Sequence, residues 1–144
     1  MKKEITKALE AINYFPLNKK NKWMPLVINH QKPKKGESSK TYKHIRDNVK
    51  KYDGIYIFKD RSNRTLYIGK GKPIANRLID HYKKSFTAPS KDSKYKKWNR
   101  FFSAYKGKLT VYWKEIEDEK DRIVIEQMLT YILNPKFIDF HVKR

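Results

Sequence analysis

Two short β-rich runs, Gly54 to Phe58 and Thr65 to Ile68, flank the cluster Asp60-Arg61-Ser62-Asn63, and this arrangement constrains the fold more than any other stretch of the chain. The runs are made of β-branched and aromatic residues, and the cluster between them is made of residues that turn a chain. An antiparallel hairpin follows. If the loop is Asp60 to Asn63, Tyr56 lies directly opposite Tyr67. Opposed residues share one sheet face, so two phenols project side by side, and a slip of one residue would part them. For two tyrosines alone, an aromatic packing pair is the plainer reading.

The pattern continues with the periods of an α+β domain. Ile74, Leu78 and Tyr82 mark one face of a helix over 74–82. Trp98, Phe101, Phe102 and Tyr105 recur at i, i+3, i+4 and i+7, a helix whose aromatic stripe reads as core packing rather than base stacking. Leu109 to Trp113 alternates as a third strand. Asp118, Glu119 and Asp121 then mark the start of a helix that carries Ile125, Met128, Leu129 and Ile132 and ends near Asn134-Pro135. The expected architecture is a small three-stranded antiparallel sheet flanked by helices.

Upstream lies a helical extension. Ile5, Ala8, Leu9, Ile12 and Phe15 predict an amphipathic helix over 3–15, stopped at Pro16. The apolar run Trp23 to Ile28 reads as a strand or a packed arm, residues 31–41 as a loop or linker, and Tyr42 to Lys51 as a short basic helix. The chain therefore divides into an extension over 1–52 and a domain over 53–144, with a basic insert at about 83–108.

Charge narrows the partners. Thirty-five Lys and Arg against 15 Asp and Glu give a formal net charge of +20. That excess repels itself unless a polyanion answers it, and nucleic acid comes ahead of an anionic membrane or a ribosome. With no cysteine, disulfides, thiolate catalysis and thiolate zinc sites are excluded. Glu4 and Glu10 interrupt the N-terminal apolar residues, so no signal peptide is read there, and no later run is long enough for a membrane span. A cytoplasmic protein without a membrane partner is expected.

The candidate chemistry gathers after the hairpin. Tyr67-Ile68-Gly69-Lys70-Gly71-Lys72 ends a strand with two glycines, which let backbone approach a ligand, and two cations. Arg77 and His81 are i, i+4 neighbours on the next helix and share a face. A phenol pair, a lysine, an arginine and a histidine can then converge at one sheet edge.

These residues resemble the GIY-YIG nuclease superfamily, from Gly54 to about Pro135. The resemblance rests on Gly54-Ile55-Tyr56, Tyr67-Ile68-Gly69, Lys70, Arg77, His81 and Glu126, the last in the run IEQMLTYILNP. Each triplet is weak alone; together, in this order and spacing, they are specific. The chain departs from the family pattern where an Asn often follows the final Pro. Here Ile138 stands at that position and Asn134 precedes Pro135.

The resemblance implies a freestanding, metal-dependent endonuclease of restriction-like or phage type that hydrolyses DNA, duplex rather than single-stranded. It implies Tyr56 as general base with Tyr67 as its hydrogen-bonding partner, or the two roles exchanged, and Lys70 favouring the phenolate. Arg77 would sit on the scissile phosphate, and His81 would contact the phosphate or relay a proton. Glu126 would ligate one Mg2+ or Mn2+ ion. Lys72, Lys83, Lys84, Lys94, Lys96, Lys97 and Arg100 would form a strand-tracking surface. Family members often bind as dimers or tetramers, so a homodimer or higher oligomer is expected. The alternative reading is a non-catalytic nucleic-acid-binding module on the same fold, whose mark would be loss of Arg77 or Glu126; both are present.

Overall fold

The computed structural model of the chain describes residues 1–87 and 93–137, without the side chains of residues 93–95 and 97. Strands β1 (Met24–His30), β2 (Gly54–Lys59), β3 (Thr65–Gly71) and β4 (Gly107–Glu115) form one antiparallel sheet in the order β1-β4-β2-β3. Helices α1 (Lys2–Ala11) and α5 (Glu119–Leu133) belong to one layer, and α2 (Ser38–Val49), α3 (Ile74–Phe86) and α4 (Ser93–Phe102) to the other. The fold is α+β, as expected. Among the described residues no helix is long and apolar enough to cross a membrane.

β2 is interior to the sheet and covered on both faces, which explains why Gly54 to Phe58 reads as an almost unbroken apolar run. Its two faces define two cores. Tyr56 and Phe58 join Tyr67, Leu78, Trp98, Phe102 and Val111 under α2 to α4. Ile55 and Ile57 join Leu9, Trp23, Ile68, Ile125 and Leu129 under α1 and α5. The aromatic stripe of α4 is core, as its spacing predicted: Trp98 and Phe102 are buried, with Phe101 and Tyr105 packed against them.

The sheet has four strands, not three. Met24 to His30 pairs with β4 along its whole length, from Met24↔Trp113 to His30↔Gly107. Leu26, Ile28 and His30 point inward while Val27 faces out, a half-buried alternation disguised by the apolar Met24, Pro25 and Val27. Pro25, which cannot donate to a ladder, is tolerated because β1 is an edge strand.

Element ends also differ. α1 stops at Ala11, ahead of Pro16, because Asn13 turns left-handed at φ 64°. α2 begins at Ser38, inside the predicted loop, and carries Ile45 and Val49 into the core. α5 matches its signals closely: Asp118 caps it by accepting from Asp121 N–H at 3.0 Å, and Asn134 closes it in the left-handed region.

The hairpin register is shifted from its expected form. Tyr56 pairs with Gly69, and Phe58 with Tyr67, with an irregularity between Phe58 and Lys59. The loop takes in Arg64 because Asp60 organises it: Oδ1 accepts from the Ser62 and Arg64 amides, both at 2.9 Å, and Oδ2 pairs with Arg64 Nε at 2.8 Å. Tyr67 moves by two positions rather than one, so both tyrosines keep one face, as diagonal neighbours.

β1 brings His30 into the aromatic core, its ring 4.8 Å from Phe86 and 5.9 Å from Phe102. Burial lowers its pKa from 6.5 to about 4, against a weaker opposite pull from the Phe102 backbone. Between those values the unfolded chain binds a proton that the folded chain refuses. Stability from this group is therefore complete above pH 6.5 and is lost as pH falls toward about 4. The loss expected from His30 is on the order of 3 kcal/mol. Urea unfolding of the wild type and of His30→Asn, followed from neutral to acid pH, should show the steeper decline in the wild type.

Candidate active site

Tyr56 lies fully buried against the backbone of β3. Its partner in register is Gly69, and a Cβ there would overlap the phenol of Tyr56. The space that the sequence reserved for a ligand beside Gly69 is thus occupied by the Tyr56 ring. Gly71 is tight for another reason, since a Cβ would press on the backbone of Ile74 where β3 turns into α3. The rings of Tyr56 and Tyr67 have centroids 6.2 Å apart.

The phenol oxygen of Tyr56 is 2.6 Å from His81 Nε2. His81 is 3% exposed and stacks on Trp98 at 3.8 Å and 17°. Trp98 in turn donates its indole N–H to His81 O at 3.1 Å and Ser85 Oγ at 3.2 Å, which fixes the stack. Burial first, then Arg77 and Lys84, lower the pKa of His81 well below 6.5, so the ring is neutral. Its Nδ1 is buried with no hydrogen-bond partner. An unpaired lone pair there is better tolerated than an unpaired N–H, so the proton belongs on Nε2, which donates to the Tyr56 oxygen.

Arg77 supplies the second contact. It sits four residues before His81, one turn back on α3, hydrogen-bonds to Tyr56, and pairs loosely with Asp80 at 3.7 Å. Burial pulls the Arg77 pKa down, but attraction to Tyr56, then Tyr67 and Asp80, outweighs it and raises the value. Its side chain keeps 40% exposure, so the guanidinium is reachable from solvent while touching the buried phenol. The cation facing Tyr56 is Arg77, where the sequence suggested Lys70.

Lys70 belongs to the other face of β3, alternating with Gly69 and Gly71. It reaches Glu126 Oε1 at 3.3 Å, and the Glu126 side chain is 9% exposed. Glu126 comes from the middle of α5, between Ile125 and Leu129, whose burial sets the helix rotation and turns the carboxylate inward. Among the described residues no three His, Cys, Asp or Glu form a ready-made metal cage. What the site offers is one oxygen-donor carboxylate, a set that suits a hard divalent cation completing its shell with water and phosphate.

The remaining sequence candidates are dispersed. Lys72, Lys83, Lys96 and Arg100 are exposed and Lys84 is half-buried, with Lys84 Nζ on Asp80 at 2.8 Å. The side chains of Lys94 and Lys97, and Ile138 beyond the final proline, lie outside the described residues. Asn134 is a helix cap. Sequence reasoning placed Trp98 in the core but missed its stack on His81; the only available signal was the stripe itself, which does not say what lies beneath it.

A Tyr-His-Arg cluster thus lies on one face of β3 and a Lys-Glu pair on the other. The GIY-YIG catalytic domain matches residues 52–130, more than half of the chain, and the chain belongs to that family. Members of the family are endonucleases, so the fold is a nuclease fold. No curated protein matches the chain. A solved structure similar to it is the GIY-YIG N-terminal endonuclease domain of UvrC from Thermotoga maritima, a point mutant bound to its catalytic divalent cation. It shares 23% identity at a TM-score of 0.45, over 65% of this chain and 93% of that one.

The fit of Tyr56 to Gly69 is directly testable. Gly69→Ala should destabilise the chain by about 1–3 kcal/mol through overpacking, whereas Gly36→Ala, with open space around its Cβ, should cost only the backbone strain of its φ of 84°. Chemical denaturation checks both; an unchanged midpoint for Gly69→Ala would show that the ring does not lie there.

Proposed function

We propose that the chain is a metal-dependent endonuclease hydrolysing phosphodiester bonds in double-stranded DNA, of restriction-like or phage type. The observation that carries this reading is the Tyr56 oxygen, held between a neutral His81 at 2.6 Å and the Arg77 guanidinium. Two donors aimed at one phenol oxygen favour its anionic form. Tyr56 then serves as the general base that takes a proton from the attacking water, and Tyr67 steadies the pair. His81 holds the phenolate by donating Nε2–H. Its depressed pKa makes it a poor acceptor for a second proton, so it positions Tyr56 rather than relaying a proton.

Arg77 places its half-exposed guanidinium on the scissile phosphate, neutralising charge that grows as the bond to the 3′ oxygen breaks. Glu126 would hold a single Mg2+ or Mn2+ ion, with Lys70 orienting the carboxylate. When bound, that ion supplies Lewis-acid stabilisation of the phosphate oxygens and a more acidic water. Lys72, Lys83, Lys84, Lys94, Lys96, Lys97 and Arg100 serve as phosphate contacts along the strand.

A cleavage assay on supercoiled plasmid with magnesium tests the reading. The wild type should cut, while Tyr56→Phe, Arg77→Ala and Glu126→Ala should each lose about 10²–10⁴-fold in rate while remaining folded by circular dichroism. No cutting by the wild type, or equal cutting by Glu126→Ala, would end the enzyme reading. Discrete fragments would indicate sequence specificity and a smear its absence.

A further inference from the structure

Four cations outside the catalytic cluster line one open cleft of about 640 Å³. Arg46 comes from the last turn of α2, Lys50 and Lys51 from the turn that follows, and Lys72 from the turn after β3. All four are exposed, and none joins an ion pair among the described residues. The only acid lining the cleft is Asp53. Like charges gathered this way repel each other until a polyanion enters. The opposite wall is the start of α3, with Asn76 in the cleft and Arg77 the next residue along the helix. The cleft and Arg77 thus share the first turn of α3.

Lys50 adds an independent observation. It sits at φ 56°, ψ −133°, a backbone state that glycine enters freely and a residue with a Cβ occupies under strain. Packing does not account for a lysine there, because its side chain faces solvent. Lys50 lines the cleft.

We propose that this cleft holds the phosphate backbone of the DNA substrate to one side of the scissile bond, with Arg46, Lys50, Lys51 and Lys72 as its phosphate contacts. The proposal rests on the endonuclease reading above and assigns α2 and the turn after it a share in substrate binding. A strand seated on Arg77 would run past Asn76 and Lys72 into the groove between α2 and α3.

The test is binding of a labelled DNA duplex by the full chain, without divalent cation, across a salt series. Each phosphate contact contributes about 0.9 to the slope of log affinity against log salt. Removing three cations in Arg46→Ala/Lys50→Ala/Lys51→Ala should lower that slope by about 2.7 and weaken binding roughly tenfold or more near 0.1 M salt. A charge-matched control, Lys2→Ala/Lys3→Ala/Lys7→Ala on exposed positions of α1, should leave the slope close to wild type. Lys50→Gly should melt at or above the wild-type temperature while binding more weakly, because it relieves strain and removes charge together. If wild type binds and cuts DNA but the α2 triple variant follows the α1 control, the cleft is not a DNA surface and the endonuclease reading stands. A Lys50→Gly that melts lower and binds as wild type would equally overturn the proposal. A wild type that neither binds nor cuts DNA overturns the endonuclease reading, and the proposal with it.

Discussion

The registry of Tyr56 against Gly69 governs the rest of the structure. It lays an aromatic ring flat on an edge strand, in space that any other residue at position 69 would fill. From that placement the phenol oxygen reaches across to α3, where one turn of helix carries both groups that touch it, Arg77 and His81. The helix is in turn fixed by Trp98 of α4, stacked on the imidazole and bonded to the α3 backbone. The geometry at the phenol thus depends on a chain of contacts through three elements, and each has little freedom to adjust without disturbing the next.

Electrostatics reinforces this arrangement. A chain with a net charge of +20 places most of its cations in water, where they cost little. Arg122 and Lys114 are buried and donate to backbone carbonyls, and three further groups stand out near β3. Arg77 is held beside a buried phenol, Lys70 is brought to a nearly buried carboxylate, and His81 is kept neutral by burial with two cations nearby. Each is a departure from what simple solvation would prefer, and all three cluster at β3 and the helices flanking it. Arg77 and His81, one helical turn apart and both shifted by their surroundings, point to function more specifically than basic composition does.

Much of this was legible in the sequence where the signal was local. The alternation of β4, the acidic start of α5 and the helical spacing of Ile74, Leu78 and Tyr82 are written within a few residues of one another. The two triplets, Arg77 and Glu126 could be picked out by their resemblance to the family in order and spacing. The less legible features were non-local. Pairing of β1 with β4 joins residues far apart in the chain, and the Met24-Pro25 start hid the alternation behind it. The hairpin register turned on whether Asp60 would capture Arg64, which lengthens the loop and is settled by side-chain geometry. The exchange of Arg77 for Lys70 beside Tyr56 follows from strand alternation, which was readable but was overridden by proximity in sequence. Trp98 under His81 and the α2 cations beside Lys72 required the tertiary structure.

β1 carries a consequence for anyone who would trim the chain. The region matching the family begins at residue 52, after β1 and α2. A fragment cut there would strip β4 of its outer neighbour and leave a bare ladder of amides and carbonyls flanked by Leu109, Val111 and Trp113, all buried in the intact chain. Such an edge is a template for pairing with another copy of itself. The shortest soluble form of this molecule is therefore expected to be longer than its recognisable catalytic part, and turbidity, rather than lost activity, would be the first sign of having cut too far.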